Sequence, residues 1–439
     1  MRAGRRRTIS SIAYLALLGL AMLLGLAGVV VAGFAVYQLT LAVAAFFYRG
    51  FRRGAEADPP RSRLVVVVPA HDEAELIGRC VQSLHAQTYP RDLYEVVVVA
   101  DNCTDETAAL ARAAGAQVLV RDVPNARGKG HALRWAIERV VDRKPAPDAI
   151  VVVDADSAAD PSFLEALVAP FARGAHAVQG ESLLSPEGSP QAALRATAFL
   201  LVNRVRPAGR AVLGGACNLA GNGMLFSREV LLTHPWSAFT SAEDLEYSIR
   251  LQAEGVRPAF AGGAVLRSPA APNPRAAAEQ QLRWEGGKAH LARTQIPRLL
   301  ARAVRERRPS LVGTAFELAV PPLGLLAAAV AVGTIVASVL LAAGAVPVWP
   351  LAPWVVAVAA IPLYVLVGLV AAGAPGWAYR SLLRAPLIVL GKLLHVRRVV
   401  GFDAMTWVRT ERAGEEPPPL ILPHRRRAPE RGVPRGSHD

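Results

Sequence analysis

Two carboxylates separated by one residue follow an apolar run near the middle of the chain. Asp154 and Asp156 come directly after residues 149–153, which are all apolar. Two carboxylates at the end of a strand can share a hard divalent cation, because such cations prefer oxygen ligands. A cation held there neutralises charge on a diphosphate leaving group. Acidic residues are also common in turns after strands, so the pair alone does not predict a metal site. The motifs that follow it in the chain support that prediction.

A second acidic pair, Glu243 and Asp244, stands directly before the predicted helix 245–253. Acidic residues at a helix start are favoured by the helix dipole, so a capping box that begins at Ser241 is the structural alternative. A transfer reaction in which an acceptor hydroxyl attacks needs one base to take the hydroxyl proton. We assign that role to Asp244, and we expect Glu243 to contact the acceptor.

The stretch Gln280-Gln281-Leu282-Arg283-Trp284 places a cation and an aromatic ring on one short element. Arg283 can stabilise negative charge on a departing diphosphate, and Trp284 offers an apolar face to an acceptor. In isolation, an amphipathic helix with a snorkelling arginine explains the same pattern. Its position after the two acidic pairs favours acceptor contacts by Gln280 and Trp284 and a catalytic role for Arg283.

Three further places can contribute to a binding site. Asp101, at the tip of the run 95–100, can accept a hydrogen bond from a base or a ribose, unless it forms an Asx turn. Lys129 lies in the Gly-rich basic loop 125–130, which opens a predicted helix and suits a phosphate, although its glycine spacing is not that of a Walker motif. Gly223 ends a Gly-Asn-Gly turn that either lines an acceptor pocket or only permits a bend.

The elements that carry these residues alternate along the chain. Short apolar runs rich in valine predict buried strands at 64–69, 95–100, 117–120 and 149–153. Helical spacing lies between them at 72–84, 104–114 and 129–141, with Thr104 or Asp105 as the cap of the second helix. This alternation predicts a doubly wound α/β sheet, with the binding residues at the carboxyl ends of its strands.

Apolar segments flank this region. The chain has 439 residues, of which 52% are hydrophobic, and its mean hydropathy of +0.29 is too high for an ordinary soluble protein. Residues 8–48 and 318–379 contain no charged residue, and a spanning helix needs about 20 apolar residues. The second stretch is long enough for two spans joined at the Pro-rich turn 345–353. The first predicts either one long span that runs into an interfacial helix at 38–48, or a hairpin of two spans.

The charge distribution suggests an orientation and argues against nucleic acid. Arginines and lysines lie on both sides of the C-terminal pair of spans, and the turn between the spans has no charge. The positive-inside rule then places the polar middle of the chain in the cytoplasm of a multi-pass protein of the cell membrane. The formal net charge of +14 is concentrated beside the apolar segments and in the tail, which fits anionic membrane lipids better than nucleic acid. Three cysteines without metal-ligand spacing fit a reducing compartment.

We therefore expect five segments. These are an N-terminal membrane segment at 1–54, a cytoplasmic α/β domain at 60–300, a transmembrane hairpin at 311–375, interfacial helices at 376–412 and a disordered basic tail at 413–439.

In their order and types, these motifs resemble those of the membrane-bound family 2 glycosyltransferases, the cellulose synthase-like and poly-N-acetylglucosamine synthase-like group. The residues that carry the resemblance are Pro69-Ala70-His71-Asp72-Glu73, Asp101, Asp154-Ala155-Asp156, Glu243-Asp244 and Gln280-Gln281-Leu282-Arg283-Trp284. Ceramide glucosyltransferase-like enzymes share the signature. The resemblance covers about 63–300 by motif and the flanking spans by layout.

The resemblance implies a GT-A fold with a mixed sheet, inserted between N-terminal and C-terminal transmembrane helices. It implies a nucleotide-sugar donor, most often UDP-linked, a Mg²⁺ or Mn²⁺ ion, and inversion at the anomeric carbon. The expected roles follow. Donor contacts are Pro69, His71, Glu73, Asp101, Lys129 and Asp154; metal ligands are Asp154 and Asp156; acceptor contacts are Gly223, Glu243, Gln280 and Trp284; catalytic residues are Asp244 and Arg283.

Two departures leave the product open. The family commonly has two consecutive acids at the second strand end, where this chain has Ala100 before Asp101. Three or four spans are also few for a polysaccharide channel, so a polymer product would need an export partner. The sequence therefore leaves three functions open: a processive synthase, a single-transfer lipid glycosyltransferase, and an inactive scaffold. A small transporter is disfavoured, because no ionisable residue lies inside the spans.

Overall fold

An eight-stranded mixed sheet forms the centre of the computed structural model, which describes residues 11–51, 61–187, 189–271 and 273–386. The strands are β1 Leu64–Ala70, β2 Tyr94–Asp101, β3 Gln117–Arg121, β4 Ala149–Val152, β5 Ala158–Ala159, β6 Ala177–Leu184, β7 Met224–Ser227 and β8 Ala259–Ser268. Their spatial order is β3-β2-β1-β4-β7-β6-β8-β5. All four strands predicted from the sequence are present.

The pairing of the strands decides where the binding edge lies. β3, β2, β1 and β4 run parallel, and the register of β1 with β2 extends from Leu64 opposite Tyr94 to Ala70 opposite Ala100. β7 runs antiparallel between β4 and β6. Parallel strands end at the same edge of a sheet, so the carboxyl ends of β1, β2 and β4 lie side by side.

The helices pack on both faces of the sheet and beyond it. They are α1 Ser11–Ala45, α2 Ala74–His85, α3 Thr107–Ala113, α4 Lys129–Val140, α5 Phe163–Ala172, α6 Pro190–Leu200, α7 Arg206–Val212, α8 Arg228–Thr233, α9 Glu243–Ala253, α10 Pro274–Arg305, α11 Ser310–Ala319, α12 Leu323–Ala342, α13 Ala352–Ala371 and α14 Gly376–Ser381. Short 3-10 helices lie at Arg49–Phe51, Arg91–Leu93, Trp349–Leu351 and Leu382–Arg384, and a π-helix at Leu201–Val205 joins α6 to α7.

β1 shows why the strands read as continuous apolar runs. Val66 and Val68 pack with Ile77 of α2 in the core on one face. Val65 and Val67 pack with α4 in the core on the other face. Successive side chains of a strand point to opposite faces, so a strand that is covered on both sides needs an apolar residue at every position. The doubly wound arrangement predicted from the sequence is confirmed.

Among the residues that the structure describes, three helices are long and apolar enough to cross a membrane: Tyr14–Ala45, Leu323–Ala342 and Trp349–Ala371. α1 continues unbroken through residues 38–45, so the N-terminal apolar stretch is one helix and the hairpin alternative is wrong. Trp354 packs against both other helices: a Cβ atom on Gly28 would lie 2.8 Å from its ring nitrogen, and one on Gly333 would overlap its ring. Its Nε1 donates to the Leu24 carbonyl oxygen at 3.2 Å.

The remaining boundaries agree with the sequence in part. The helix break predicted for 345–353 lies between α12 and α13, where the 3-10 helix Trp349–Leu351 contains Pro350. Of the interfacial helices expected at 376–412, α14 and a 3-10 turn are described. Residues 387–439, including the basic tail, and residues 1–10 lie outside the described part of the chain.

The predicted helix starts differ from the structure at three places, and α2 begins at Ala74, two residues after its predicted start. α3 begins at Thr107 with Glu106 at its N-cap position, so the cap predicted at Thr104 or Asp105 is wrong. Asp105 instead accepts from the Thr107 amide at 2.9 Å and from the Ala74 amide at 3.0 Å, and thereby joins the starts of α2 and α3. α9 begins at Glu243, two residues before the predicted start, so both acids lie in its first turn.

Candidate active site

A cavity of about 640 Å³ opens at the carboxyl ends of β1, β2 and β4 and extends to α7, α10 and the start of α12. It collects twelve of the residues singled out in the sequence, from segments far apart along the chain. These are Pro69, His71, Glu73, Asp101, Lys129, Asp154, Asp156, Glu243, Asp244, Gln280, Arg283 and Trp284. Gly223 lies behind the cavity wall, where its amide donates to Val152 and its carbonyl oxygen accepts from the Gly180 amide.

Hydrogen bonds fix the turn that carries the two predicted metal ligands. The Asp154 amide donates to Asn222 Oδ1 at 3.0 Å. Ser157 Oγ donates to Asp156 Oδ1 at 3.2 Å, and Asn222 Nδ2 donates to Ser157 Oγ at 2.8 Å. Both carboxylates line the cavity. Because Mg²⁺ and Mn²⁺ prefer oxygen ligands and bind with few protein carboxylates beside phosphate oxygens, this donor set fits such an ion.

Asn222 supports that turn, and its role was not predicted from the sequence. It is 2% exposed, and its carbonyl oxygen accepts from Gln179 Nε2 at 2.7 Å. The flanking Gly221 has a φ of +78°, a backbone conformation that residues other than glycine rarely adopt. A Cβ atom on Gly221 would also lie 3.0 Å from Asp244 Oδ2. The Gly-Asn-Gly turn therefore holds the candidate metal-binding turn on one side and approaches the candidate base on the other.

Lys129 is the cation at this end of the cavity. It is the first residue of α4, and its Nζ donates to Asp154 Oδ1 at 2.5 Å and to the Gly221 carbonyl oxygen at 2.6 Å. Burial lowers the pKa of Lys129, but the carboxylates of Asp154, Glu243 and Asp244 together raise it above its ordinary value. The lysine thus stays charged and suits contact with a diphosphate beside the carboxylates.

Glu243 and Asp244 form the second acidic group. Burial, together with the neighbouring Asp244 and opposed by Lys129, raises the pKa of Glu243 to about 7. Burial also raises the pKa of Asp244, again against the effect of Lys129. Asp244 Oδ1 accepts from the Leu245 amide at 2.8 Å, which orients the side chain at the start of α9. A general base is most effective when its pKa lies near the working pH, so a raised carboxylate pKa suits this role near neutral pH.

α10 brings the third motif to the cavity. Gly287 is buried, and a Cβ atom there would lie 2.9 Å from Ser241 Oγ, so its missing side chain lets α10 approach the loop before α9. One to two turns earlier on α10, Gln280, Arg283 and Trp284 line the cavity. Trp284 is 40% exposed and its ring lies 5.5 Å from that of Phe199. An exposed ring at a cavity rim is suited to contact with an acceptor.

Asp101 and His71, which we expected to contact the nucleotide of the donor, already have partners within the protein. Asp101 is buried, and its Oδ1 accepts from Arg121 Nη1, whose Nη2 donates to the Ala126 carbonyl oxygen at 2.8 Å. Burial raises the pKa of Asp101, although Arg121 opposes the shift. His71 Nδ1 lies 2.7 Å from the Asp101 carbonyl oxygen. Arg121 was missed in the sequence, because its partner lies on a neighbouring strand.

Asp72, Cys103 and Asp105 form another cluster of potential ligand atoms, all within 4.8 Å of one another. Asp72 Oδ1 accepts from the Thr104 amide at 2.6 Å, and Asp105 accepts from backbone amides of α2 and α3. These bonds give the cluster a structural role at the helix starts. It is separate from the predicted metal pair.

Comparison with known proteins identifies relatives of this region. A family model described as "Glycosyltransferase like family 2" matches residues 59–287, just over half of the chain. The β-monoglucosyldiacylglycerol synthase of Synechocystis sp. is 29% identical over 205 residues, which are 45% of this chain and 42% of that protein. The low-salt glycan biosynthesis hexosyltransferase Agl6 of Haloferax volcanii is 36% identical over 97 residues, 22% of each chain. The chain thus matches less than half the length of these relatives.

Among solved structures, the mannosyltransferase PcManGT from Pyrobaculum calidifontis, in complex with GDP-Man and Mn²⁺, is 22% identical, with a TM-score of 0.44. The match covers 77% of this chain and 99% of that one. Glucosyl-3-phosphoglycerate synthase from Mycobacterium tuberculosis, in complex with Mn²⁺, UDP and phosphoglyceric acid, is 23% identical, with a TM-score of 0.36. That match covers 51% of this chain and 76% of the synthase.

Proposed function

Because the chain belongs to the family 2 glycosyltransferases, we propose that it transfers a sugar from a nucleotide-sugar donor, UDP-linked, to an acceptor at the cytoplasmic face of the cell membrane. Its mixed α/β sheet is of the GT-A type. The observation that carries the proposal is the meeting of Asp154, Lys129, Asp244 and Arg283 in one cavity.

At the donor end, the diphosphate lies against α4. Lys129 contacts its oxygens, and Arg283 offsets the charge that develops as the sugar leaves. Asp154 and Asp156 would hold a divalent ion, which when bound would neutralise charge on the diphosphate. The raised pKa of Lys129 supports this arrangement, because the lysine remains a cation in the presence of three carboxylates.

At the reacting centre, Asp244 takes the proton of the acceptor hydroxyl. The acceptor oxygen forms a bond to the anomeric carbon, and the bond from that carbon to the diphosphate oxygen breaks with its electron pair. A single displacement of this kind inverts the anomeric carbon and gives a β linkage from an α-linked donor. The raised pKa of Asp244 supports its role as the base.

The acceptor end favours a glycolipid product over a polymer. The cavity reaches Leu323 at the start of α12 and Gln38 of α1, both on helices long enough to cross a membrane. A lipid headgroup can therefore enter from the bilayer and meet Trp284. A relative of the catalytic region is named as a synthase of monoglucosyldiacylglycerol, which agrees with a lipid acceptor. The alternative is a cell-surface polysaccharide, for which an export partner would be required.

The test uses the purified full chain in detergent with a panel of nucleotide sugars and Mg²⁺ or Mn²⁺, and measures nucleotide release and product size. We expect release with one donor class, a single-sugar lipid product, loss of activity in chelator and its recovery with added metal. Asp154→Asn should reduce release, whereas Asp142→Asn, at an exposed position, should not. Full activity in chelator would contradict the metal role, and the absence of release with every donor would favour an inactive scaffold.

A further inference from the structure

The cavity has a second end, which lies against α1, α7 and α11 and away from the sheet. We call this part of the cavity the basic end. It is lined by the polar side chains of Gln38, Arg206, Arg210, Lys288 and Glu317. They come from four helices, and the transfer chemistry proposed above uses none of them.

Glu317 is the carboxylate of the basic end and binds both of its arginines. Its Oε1 accepts from Arg206 Nη2, and its Oε2 accepts from Arg210 Nη1 at 3.0 Å and from Tyr37 Oη at 2.7 Å. Arg210 Nη1 also donates to Tyr37 Oη at 2.9 Å. One carboxylate is thus shared between two guanidinium groups, so it can neutralise only part of their charge.

Lys288 adds a third cation. Its Nζ donates to the carbonyl oxygen of Val320 at 2.7 Å, and this neutral partner brings no negative charge. Burial, together with the nearby Arg206, lowers the pKa of Lys288 to about 8. Glu285 lines the cavity one turn earlier on α10 and accepts from Gln281 Nε2 at 2.9 Å. If Glu285 is added to the five residues of the basic end, its three cations still outnumber the two carboxylates.

Two hydrogen-bond donors of the basic end have no partner among the described residues. Nε of Arg206 and Nε2 of Gln38 are both buried without an acceptor. Arg206 is 8% exposed and Gln38 is 2% exposed, and both line the cavity. A buried donor without a partner costs free energy, so buried donors are normally satisfied by protein, water or a ligand. Two such donors beside excess positive charge indicate a missing acceptor that carries negative charge.

The walls around the basic end are apolar. Phe199 and Val202 line the cavity before Arg206, and Val202 belongs to the π-helix Leu201–Val205 and is 40% exposed. Pro322 and Leu323 line it where α12 begins. α12 is long and apolar enough to cross a membrane, so this wall lies at the level where a lipid chain would enter.

We propose that the basic end binds the phosphate group of an acceptor lipid, between an apolar chain that leaves along α12 and a hydroxyl-bearing headgroup directed toward Asp244. Guanidinium groups suit phosphate, because their N–H groups match its oxygens. The bound phosphate supplies acceptors for Arg206 Nε and Gln38 Nε2 and balances the charge of Lys288. This inference rests on the proposed function only in naming the lipid as the acceptor.

The experiment measures lipid retention by native mass spectrometry of the full chain in detergent. Dioleoylphosphatidylglycerol and dioleoylglycerol are offered in equal amounts, because they share their acyl chains and differ in the phosphate and headgroup. We expect the wild type to retain the phospholipid about tenfold better. Arg206→Gln combined with Glu317→Gln, which leaves no unpaired carboxylate, should remove that preference while nucleotide-sugar affinity remains. Arg305→Gln, at an exposed position of α10, is the matched control and should retain it.

Other outcomes overturn the proposal. Equal retention of both lipids by the wild type would show that the basic end is an ion network joining helices. The same conclusion would follow if the double variant kept the preference. Glycerol 3-phosphate that displaced the phospholipid at equal concentration would identify a site for soluble phosphate esters. If the preference is found but no nucleotide sugar is ever cleaved, the proposed function fails while the phospholipid site stands.

Discussion

The ammonium group of Lys129 lies 2.5 Å from Asp154 Oδ1 and thereby joins the first residue of α4 to the turn that follows β4. The same ammonium reaches the Gly221 carbonyl oxygen at 2.6 Å. A single cation therefore joins the candidate metal-binding turn to the glycine turn beside it. The carboxylates of Asp154, Glu243 and Asp244 raise the pKa of Lys129, and Lys129 opposes the rise in the pKa of Glu243 and of Asp244.

Replacement of Lys129 by methionine should weaken donor binding. The change removes the cation that faces the diphosphate but keeps a side chain of similar length. A hydrogen bond to a charged group contributes about 1.5–3 kcal/mol, so the dissociation constant of the nucleotide sugar should rise by roughly tenfold or more. Lys129→Arg retains the charge and should lose less affinity. Isothermal titration with the nucleotide sugar measures both, and an unchanged dissociation constant in Lys129→Met would remove Lys129 from the donor site.

The acidic pair predicts the pH dependence of transfer. Asp244 acts as the base in its deprotonated form, and burial raises its pKa. It titrates together with Glu243, whose pKa is raised to about 7, so the rate should fall as the pair takes up a proton below about pH 7. Two adjacent carboxylates titrate as a pair, and removal of one charge makes deprotonation of the other easier. Glu243→Gln should therefore move the acid limb of the rate profile to lower pH. A limb that stays near 7 in this variant would place the titration on another group.

Gly130 should tolerate no side chain. A Cβ atom there would overlap the Ala238 carbonyl oxygen, a backbone atom that cannot rotate away. We expect Gly130→Ala to destabilise the fold by about 1–3 kcal/mol and to displace Lys129. Gly78 of α2 has open space around it, and Gly78→Ala should stabilise by up to about 1 kcal/mol. Thermal unfolding in detergent compares them, and equal melting temperatures would show that the helix start can move.

The orientation of the chain in the membrane can be tested by cysteine labelling. Val348, 67% exposed between α12 and α13, should face the outside, and Val304, 81% exposed on α10, should face the cytoplasm. In a Cys103→Ser background, an impermeant maleimide should label Val348→Cys in intact cells. It should label Val304→Cys only after the membrane is opened. Labelling in the reverse order would place the cavity outside and contradict cytoplasmic donor use.

What the sequence revealed depends on how local each signal is. Val65 to Val68 identified a strand because both faces of that strand are buried, and a buried strand must be apolar at each position. The carboxyl ends of such strands meet at one edge, so Asp101 and Asp154 were correctly predicted to lie at that edge, where both line the cavity. The separate motif at Gln280 reached the same cavity, which its order in the chain suggested but no local pattern required.

The rest depends on contacts between distant segments. Nothing near Arg206 predicts that its partner is Glu317, 111 positions away. The antiparallel placement of β7 beside β4 likewise follows from packing of the whole sheet. The turn around Asn222 was recognised in the sequence, but the role of Asn222 was not. Its hydrogen bonds go to Asp154 and Ser157 of another loop, and no local pattern predicts them. Such partners become visible only when the chain is folded.

The measurement that tests the central claim most directly compares donor affinity and transfer rate in Asp244→Asn. Asparagine keeps the shape of aspartate but cannot take a proton, so we expect the rate to fall by roughly 100-fold or more while the dissociation constant of the nucleotide sugar stays unchanged. Asp142→Asn, at an exposed position, should leave both values as in the wild type. Near-normal turnover by Asp244→Asn would contradict the account, because the proton would then be taken by another group.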